Sequence, residues 1–284
     1  MPHFRGSIAV ASFLLAAVAG CRDEAKLSAA LAQRDVTELA ALVEQDVAEV
    51  KRGLPEGARR LAPLVANHTD PGQNLPDVRR ALLRVRSDVP DLFMAKSTFF
   101  ALANPNGVAI RNDLEQDVMA GQNLFSSFPA LAKANDGFAS TTGSFPNSFT
   151  ANGPDRDWMA AVPVRREDST TGALFVTGWT YRTFARHLQE SLKDRLVARA
   201  GSGEVNGKMP VFYTFVFDAS GVYGDRLTPA LDEKAMNAQD FETRTSTGMA
   251  LGNVIIEDRH FGFAAMRTPP LGQDVGIVVL RSET

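Results

Sequence analysis

Cysteine is nearly missing from this chain: among 284 residues Cys21 is the only one, so no disulfide within the chain can staple the fold. The four histidines stand far apart, with no pair at the i, i+4 spacing that sets two imidazoles on one helix face. With no thiolate cluster either, a metal site is not expected. Basic residues do not outnumber acidic ones (30 against 33, net charge −3), which removes the electrostatic basis for nucleic-acid binding. Nucleophile and phosphate signatures are missing as well. There is no Gly-x-Ser-x-Gly elbow and no Ser-x-x-Lys, and Gly201-Ser202-Gly203 lacks the lysine and preceding strand of a phosphate-binding loop. An enzyme is therefore not the expected reading, and no cofactor is implied. Tyrosine is scarce (3) beside phenylalanine (18), which fits packing between sheet and helices better than a sugar-stacking surface.

Long apolar runs are confined to the N-terminus. Arg5 supplies a positive charge, Ile8 to Ala19 form an apolar core, and Val18-Ala19-Gly20-Cys21 closes it. A run this short followed by small residues reads as a secretory signal over 1–20 rather than a membrane span. Cysteine directly after Ala-Gly resembles the lipobox of bacterial lipoproteins, which implies acylation of Cys21 and anchoring to a bacterial membrane. The other reading is an ordinary signal peptide cleaved nearby. Export also removes the chain from cytoplasmic nucleotide supplies, a second reason to expect no cofactor.

From residue 23 to 52 the pattern is helical. Val36, Ala40, Val43, Val47, Val50 and Leu54 follow at alternating spacings of four and three, one continuous seam. Two readings stay open: a stalk through which two copies form a homodimer, or a helix packed along its own domain. Gly53 and Pro55 predict a break, with a shorter helix over 56–66. Pro76 to Val85 is helical again.

Two hairpins then stand about a hundred residues apart. Phe99 to Ala103, the turn Asn104-Pro105-Asn106-Gly107 and Val108 to Arg111 form the first; Tyr213 to Tyr223 forms the second. Asn104-x-Asn106-Gly107-Val108 aligns with Asp218-x-Ser220-Gly221-Val222, and Met159-Ala160-Ala161-Val162 aligns with Phe263-Ala264-Ala265-Met266. Two anchors in the same order predict a duplicated unit, each half β-β-α-β-β-β. The fold class is α+β: a stalk over 21–90, a first module over 91–200 and a second over 201–284, each a mainly antiparallel sheet with covering helices.

This order resembles the double form of the Cache family of extracytoplasmic sensors, tandem PAS-like modules behind a long N-terminal helix. The resemblance rests on the two Asn/Asp-x-x-Gly hairpins and on Trp158 to Val164, which fits the family's Trp-x-x-x-x-Pro-Val strand. It implies a small-molecule pocket in the first module. Arg156-Asp157-Trp158 resembles the Arg-x-Trp of an amino-acid-binding subset, so Arg156 is expected to clamp a ligand carboxylate and Trp158 to wall the pocket. Trp179, Tyr181 and Arg111 complete the expected ligand-binding set. That subset's acid at the end of the last strand has no counterpart in Thr177-Gly178-Trp179, so a carboxylate without an amine is as good a candidate as an amino acid. Glu115, Asp117, Asp155 and Asp157 are expected to be solvated loop acids.

The expectation is thus a lipid-anchored sensor that binds a small molecule and signals through a partner protein, because no output domain is visible in the sequence. The alternative is a structural or assembly lipoprotein of the envelope without a ligand, in which Phe149, Trp158 and Trp179 fill the pocket.

Overall fold

The computed structural model describes residues 9–94, 98–146, 149–150, 153–202 and 209–283, with side chains from Glu24 onward except at 67, 68, 149 and 150. The side chains of Cys21, His68 and Phe149 therefore lie outside the described residues.

Helix α1 spans Ala9–Leu61, about 80 Å at 1.5 Å per residue, and it runs through Pro55 instead of stopping. Proline there removes one main-chain hydrogen bond, but tertiary packing holds the helix on both sides of it. Leu54 is fully buried. At Gly53 and Gly57 the helix backbone lies so close to Leu92 and Phe175 that an added Cβ would fall 2.8 Å and 2.5 Å from them. The chain then tightens into a 3-10 turn at Ala62–His68 before α2, Leu75–Asp88.

The first module contains β1 (Phe99–Ala103), β2 (Ala109–Asn112), the short α3 (Leu124–Ser127), β3 (Ala139–Gly143), the small ribbon β4 (Phe149–Thr150) and β5 (Gly153–Pro154), β6 (Asp157–Arg165), β7 (Thr171–Thr180) and α4 (Tyr181–Gly201). The second contains β8 (Val211–Asp218), β9 (Gly221–Gly224), α5 (Ala230–Asn237), α6 (Phe241–Arg244), β10 (Ala250–Ile256), β11 (Arg259–Arg267) and β12 (Gly276–Ser282). Two five-stranded sheets result, ordered β2-β1-β7-β6-β3 and β9-β8-β12-β11-β10. Numbered within its own module each is 2-1-5-4-3, and all the pairings are antiparallel. The predicted duplication is therefore present in the topology, and its second anchor falls on β6 and β11, equivalent strands.

Alternation explains why the strands read as nearly continuous apolar runs: both faces are covered. In β7, Ala173 and Phe175 join the core beneath α1, while Leu174 and Val176 join a separate core beneath α3 and the 3-10 turn at Pro129–Asn135. In β12, Ile277 and Val279 face the shared core and Val278 and Leu280 the outer one. The valine and leucine seam of α1 is buried against these sheets, so of the two sequence readings the structure has the helix packed along its own chain. Its early turns lie on the second module and its late turns on the first. Asp35, fully buried on α1, accepts from Arg199 of α4 (3.1 Å) and from Arg281 of β12, tying three elements together.

Where α1 crosses β11 the contact is closest. A Cβ on Gly262 would lie 2.0 Å from the backbone nitrogen of Ala29. Gly262→Ala is expected to destabilise the protein by about 1–3 kcal/mol or more, by prising helix from sheet. Gly137→Ala, with nothing within 4 Å of its Cβ, is the matched control and should stay near wild type. Chemical denaturation of both variants checks this.

Candidate ligand-binding cavity

The two hairpin turns use one device. In the first, Asn104 Oδ1 accepts from the N–H groups of Asn106 and Val108 (3.0 and 2.9 Å), and Gly107 takes a φ of +82°. In the second, Asp218 Oδ1 accepts from Ser220 N–H (2.8 Å), and Gly221 takes +144°. Both glycines occupy backbone space that other residues rarely enter.

A cavity of about 570 Å³ opens at the end of the first sheet, where β1 and β6 begin and β7 ends. Phe99, Asp157, Trp179 and Thr180 come from the sheet and Thr183 from the first turn of α4. Leu114, Val118, Met119 and Gln122 reach it from the segment between β2 and α3, and Phe145 from the segment after β3. Trp179 forms a rigid wall: its ring stacks on Trp158 (4.2 Å between centroids, 22°) and on Phe184 (4.9 Å, 16°).

The covering segment is pinned by Asp117. Its carboxylate accepts from Asn112 N–H (2.8 Å), Met119 N–H (2.9 Å) and Ala120 N–H (3.1 Å), and pairs with Arg111 (2.9 Å). Burial works against the charge, but these N–H groups and the guanidinium hold the carboxyl below its usual range.

Asp157 is the group that sequence reasoning passed over. It is 3% exposed, pairs across the sheet with Thr180, and its Oδ2 has no hydrogen-bond partner. Burial, with the nearby Asp155 charge, pushes its carboxyl up to about 7, against Arg156 and the Phe145 N–H. Asp155 is also buried and raised, chiefly by desolvation. With Asp117, these two acids correct the expectation of solvated loop residues, which holds for the exposed Glu115 alone: strand β6 begins one residue earlier than its apolar run, so Asp157 is carried into the sheet. Two buried donors nearby also lack partners, Asn112 Nδ2 and Trp179 Nε1.

Of the five residues expected to bind ligand, Trp179 lines the cavity and Trp158 backs it. The guanidinium of Arg156 is committed elsewhere: its Nε donates to Asp218 Oδ2 of the second module (2.8 Å). Tyr181 hydroxyl donates to the same oxygen (3.2 Å), and burial, with the Asp218 charge second, raises its pKa. Arg111 faces a different depression, beside Arg79 and Arg80, and acts on the cavity only by holding Asp117 and Leu114 O (2.9 Å). Among the described residues there is no cluster of three His, Cys, Asp or Glu suited to a metal ion.

Asp117→Ala is expected to speed amide exchange about 2- to 10-fold at Asn112, Met119 and Ala120, from the ~0.5–1.5 kcal/mol that each lost hydrogen bond contributes. Hydrogen-exchange NMR checks it, with amides of β11 as unchanged references.

No family model matches the chain, and no curated protein matches it. Solved structures share its fold. The extracellular domain of vpHK1S-Z8, described as a histidine kinase, superposes with a TM-score of 0.56 over 92% of this chain and 93% of that one, at 9% identity. The ligand-binding domain of Mlp24, solved with asparagine, gives 0.48 over 93% and 95% at 15% identity. That of the Pseudomonas aeruginosa PAO1 amino-acid chemoreceptor PctC, solved with GABA, gives 0.46 over 87% and 96% at 14% identity. At such identities the likeness is one of fold: a long N-terminal helix and two antiparallel five-stranded sheets with covering helices, the double Cache-like architecture.

Proposed function

We propose that this chain is an extracytoplasmic ligand-binding sensor held at a bacterial membrane by lipid on Cys21, whose first module takes a small organic molecule and whose occupancy is read by a partner protein. The observation that carries this is the cavity of about 570 Å³, within the range of roughly 300–1,000 Å³ common for small-molecule sites, with buried polar atoms left unpartnered around it. In a ligandless envelope protein the tryptophans would fill that space. Here Trp158 and Trp179 stack on each other, Trp179 stacks also on Phe184, and a volume of about 570 Å³ stays open beside them.

The anchor is argued from Val18-Ala19-Gly20-Cys21. No helix of the described residues is long and apolar enough to cross a membrane. Helix α1 meets the second module near Ala29 and the first near Gly57. An anchor at Cys21 therefore sets the second module nearer the membrane than the first, whose contact at Gly57 lies about 42 Å farther along the helix than the one at Ala29. The route between them is short. Thr180 and Thr183 on the cavity rim open α4, whose Arg182 makes paired bonds to Glu233 of the second module (2.7 and 2.8 Å). Thr214 of β8 donates to Ala185 O of the same helix (2.7 Å). A ligand that shifts the start of α4 moves a helix bonded to the second module.

Thermal-shift screening of the protein against amines, amino acids, carboxylates and purines tests the ligand claim. At least one compound should stabilise it in a concentration-dependent way, by about 2.7 kcal/mol at a hundredfold excess over Kd. Trp179→Ala should abolish the shift; no stabilisation by any class would end the reading. For the anchor, metabolic labelling with an alkynyl fatty acid should mark the wild type and not Cys21→Ser, and the variant should leave the membrane fraction. Equal labelling of both would remove the lipid from the proposal.

A further inference from the structure

We propose that the cavity selects a small monocationic amine that also carries a neutral hydrogen-bond acceptor, and rejects amino-acid zwitterions and carboxylates; this rests on the cavity being a ligand site. The charge on its wall is one-sided. Asp157 lines it with Oδ2 unpartnered, and among the described residues no lysine, arginine or histidine lines it. The guanidinium next in sequence, Arg156, is bound to Asp218, and that of Arg111 to Asp117. A ligand carboxylate would sit beside Asp157, with the buried Asp155 close behind, and meet no cation of its own.

An ammonium fits the same surroundings. It pairs with Asp157 Oδ2, in a wall that also holds the aromatic rings of Phe99 and Phe145. Asn112 Nδ2 and Trp179 Nε1 are donors without acceptors, a match for a hydroxyl or carbonyl oxygen on the ligand. Leu114, Val118 and Met119 suit a compact apolar body.

Binding a cation also restores the carboxylate that burial disfavours. Around Asp157 stand Asp155 and Arg156 on its own stretch of chain, the Phe145 N–H from the segment opposite, and Arg182 of α4, which acts on Asp155. With the Asp157 carboxyl near 7 in the empty protein, the ionised fraction rises about tenfold between pH 6 and pH 8, so amine affinity should rise by about that factor and binding should release a proton below pH 7.

Isothermal titration with two matched series tests the proposal. One shares an isobutyl body (leucinol, isoamylamine, L-leucine, 4-methylpentanoate) and the other a phenylethyl body (phenylalaninol, 2-phenylethylamine, L-phenylalanine, 3-phenylpropanoate). In at least one series the amino alcohol should bind tenfold or more tightly than the amino acid, with the carboxylate weakest. Asp157→Asn should lose tenfold or more of amino-alcohol affinity and flatten the pH profile. Should that variant fail to fold, proton release by the wild type, measured in buffers of different ionisation enthalpy, carries the same information. Amino acid or carboxylate matching the amine in both series, amines inert in both, or a flat wild-type pH profile overturns the proposal. If anionic or zwitterionic hits emerge from the thermal-shift screen while amines stay inert, the sensor reading stands without this ligand class. If that screen yields no hit of any charge, both fall.

Discussion

Both sheets depend on one apolar seam of α1. Val36, Leu39, Val43, Val50 and Leu54 are buried to nothing against the inner faces of the two modules, and those faces carry Val162 and Phe175 on one side and Ala264 and Val279 on the other. Removed from the helix, each sheet would expose a large apolar face to water. Hydrophobic burial of this kind has no direction of its own, so the register of helix on sheet needs fixed points. Gly262 supplies one by letting backbone touch backbone. Asp35 supplies another, because a fully buried carboxylate shared by Arg199 and Arg281 tolerates little sliding.

Much of this scaffold was legible in the sequence, because strands and helices leave periodic traces. The seam spacing, the two Asx-Gly turns and the repeated apolar strand all fall where the pattern places them. Pro55 misled because local propensity was outweighed by packing that only the folded chain contains. The site was less legible for a related reason. Arg156 and Asp218 are separated by 62 residues, and nothing local marks one as the partner of the other. Asp157 was passed over because polar residues flank the apolar run, although continuing the alternation one residue back from Trp158 would have put it in the strand.

The two modules show how a duplicated frame acquires different uses. Aligned through their turns, Ala101 and Ala103 of β1 correspond to Phe215 and Phe217 of β8. In the second module those rings fill the outer core, with Phe217 against Phe241 and Phe241 against Phe263. In the first module the small side chains leave room for the longer covering segments, and the cavity adjoins the core they form. Asn104 and Asp218 hold the same turn, but only the charged one also binds across to the other module.

Three consecutive residues then join these uses. Arg156 reaches the second module, Asp157 lines the cavity and Trp158 stacks behind its wall. The Arg156 carbonyl also accepts the N–H of Tyr181 (2.7 Å), the first residue of α4, whose hydroxyl meets Asp218. The charge state of Asp157 is thus adjacent to the ion pair by which Arg156, the residue just before β6, reaches the second module. Arg156 favours the ionised form of Asp157 while its guanidinium is bound to Asp218, so the two carboxylates share one neighbouring cation. On the ligand reading proposed above, an occupant that changes charge at this one carboxylate would have an electrostatic as well as a mechanical way to be felt across the module boundary, and a neutral occupant of the same volume only the mechanical one.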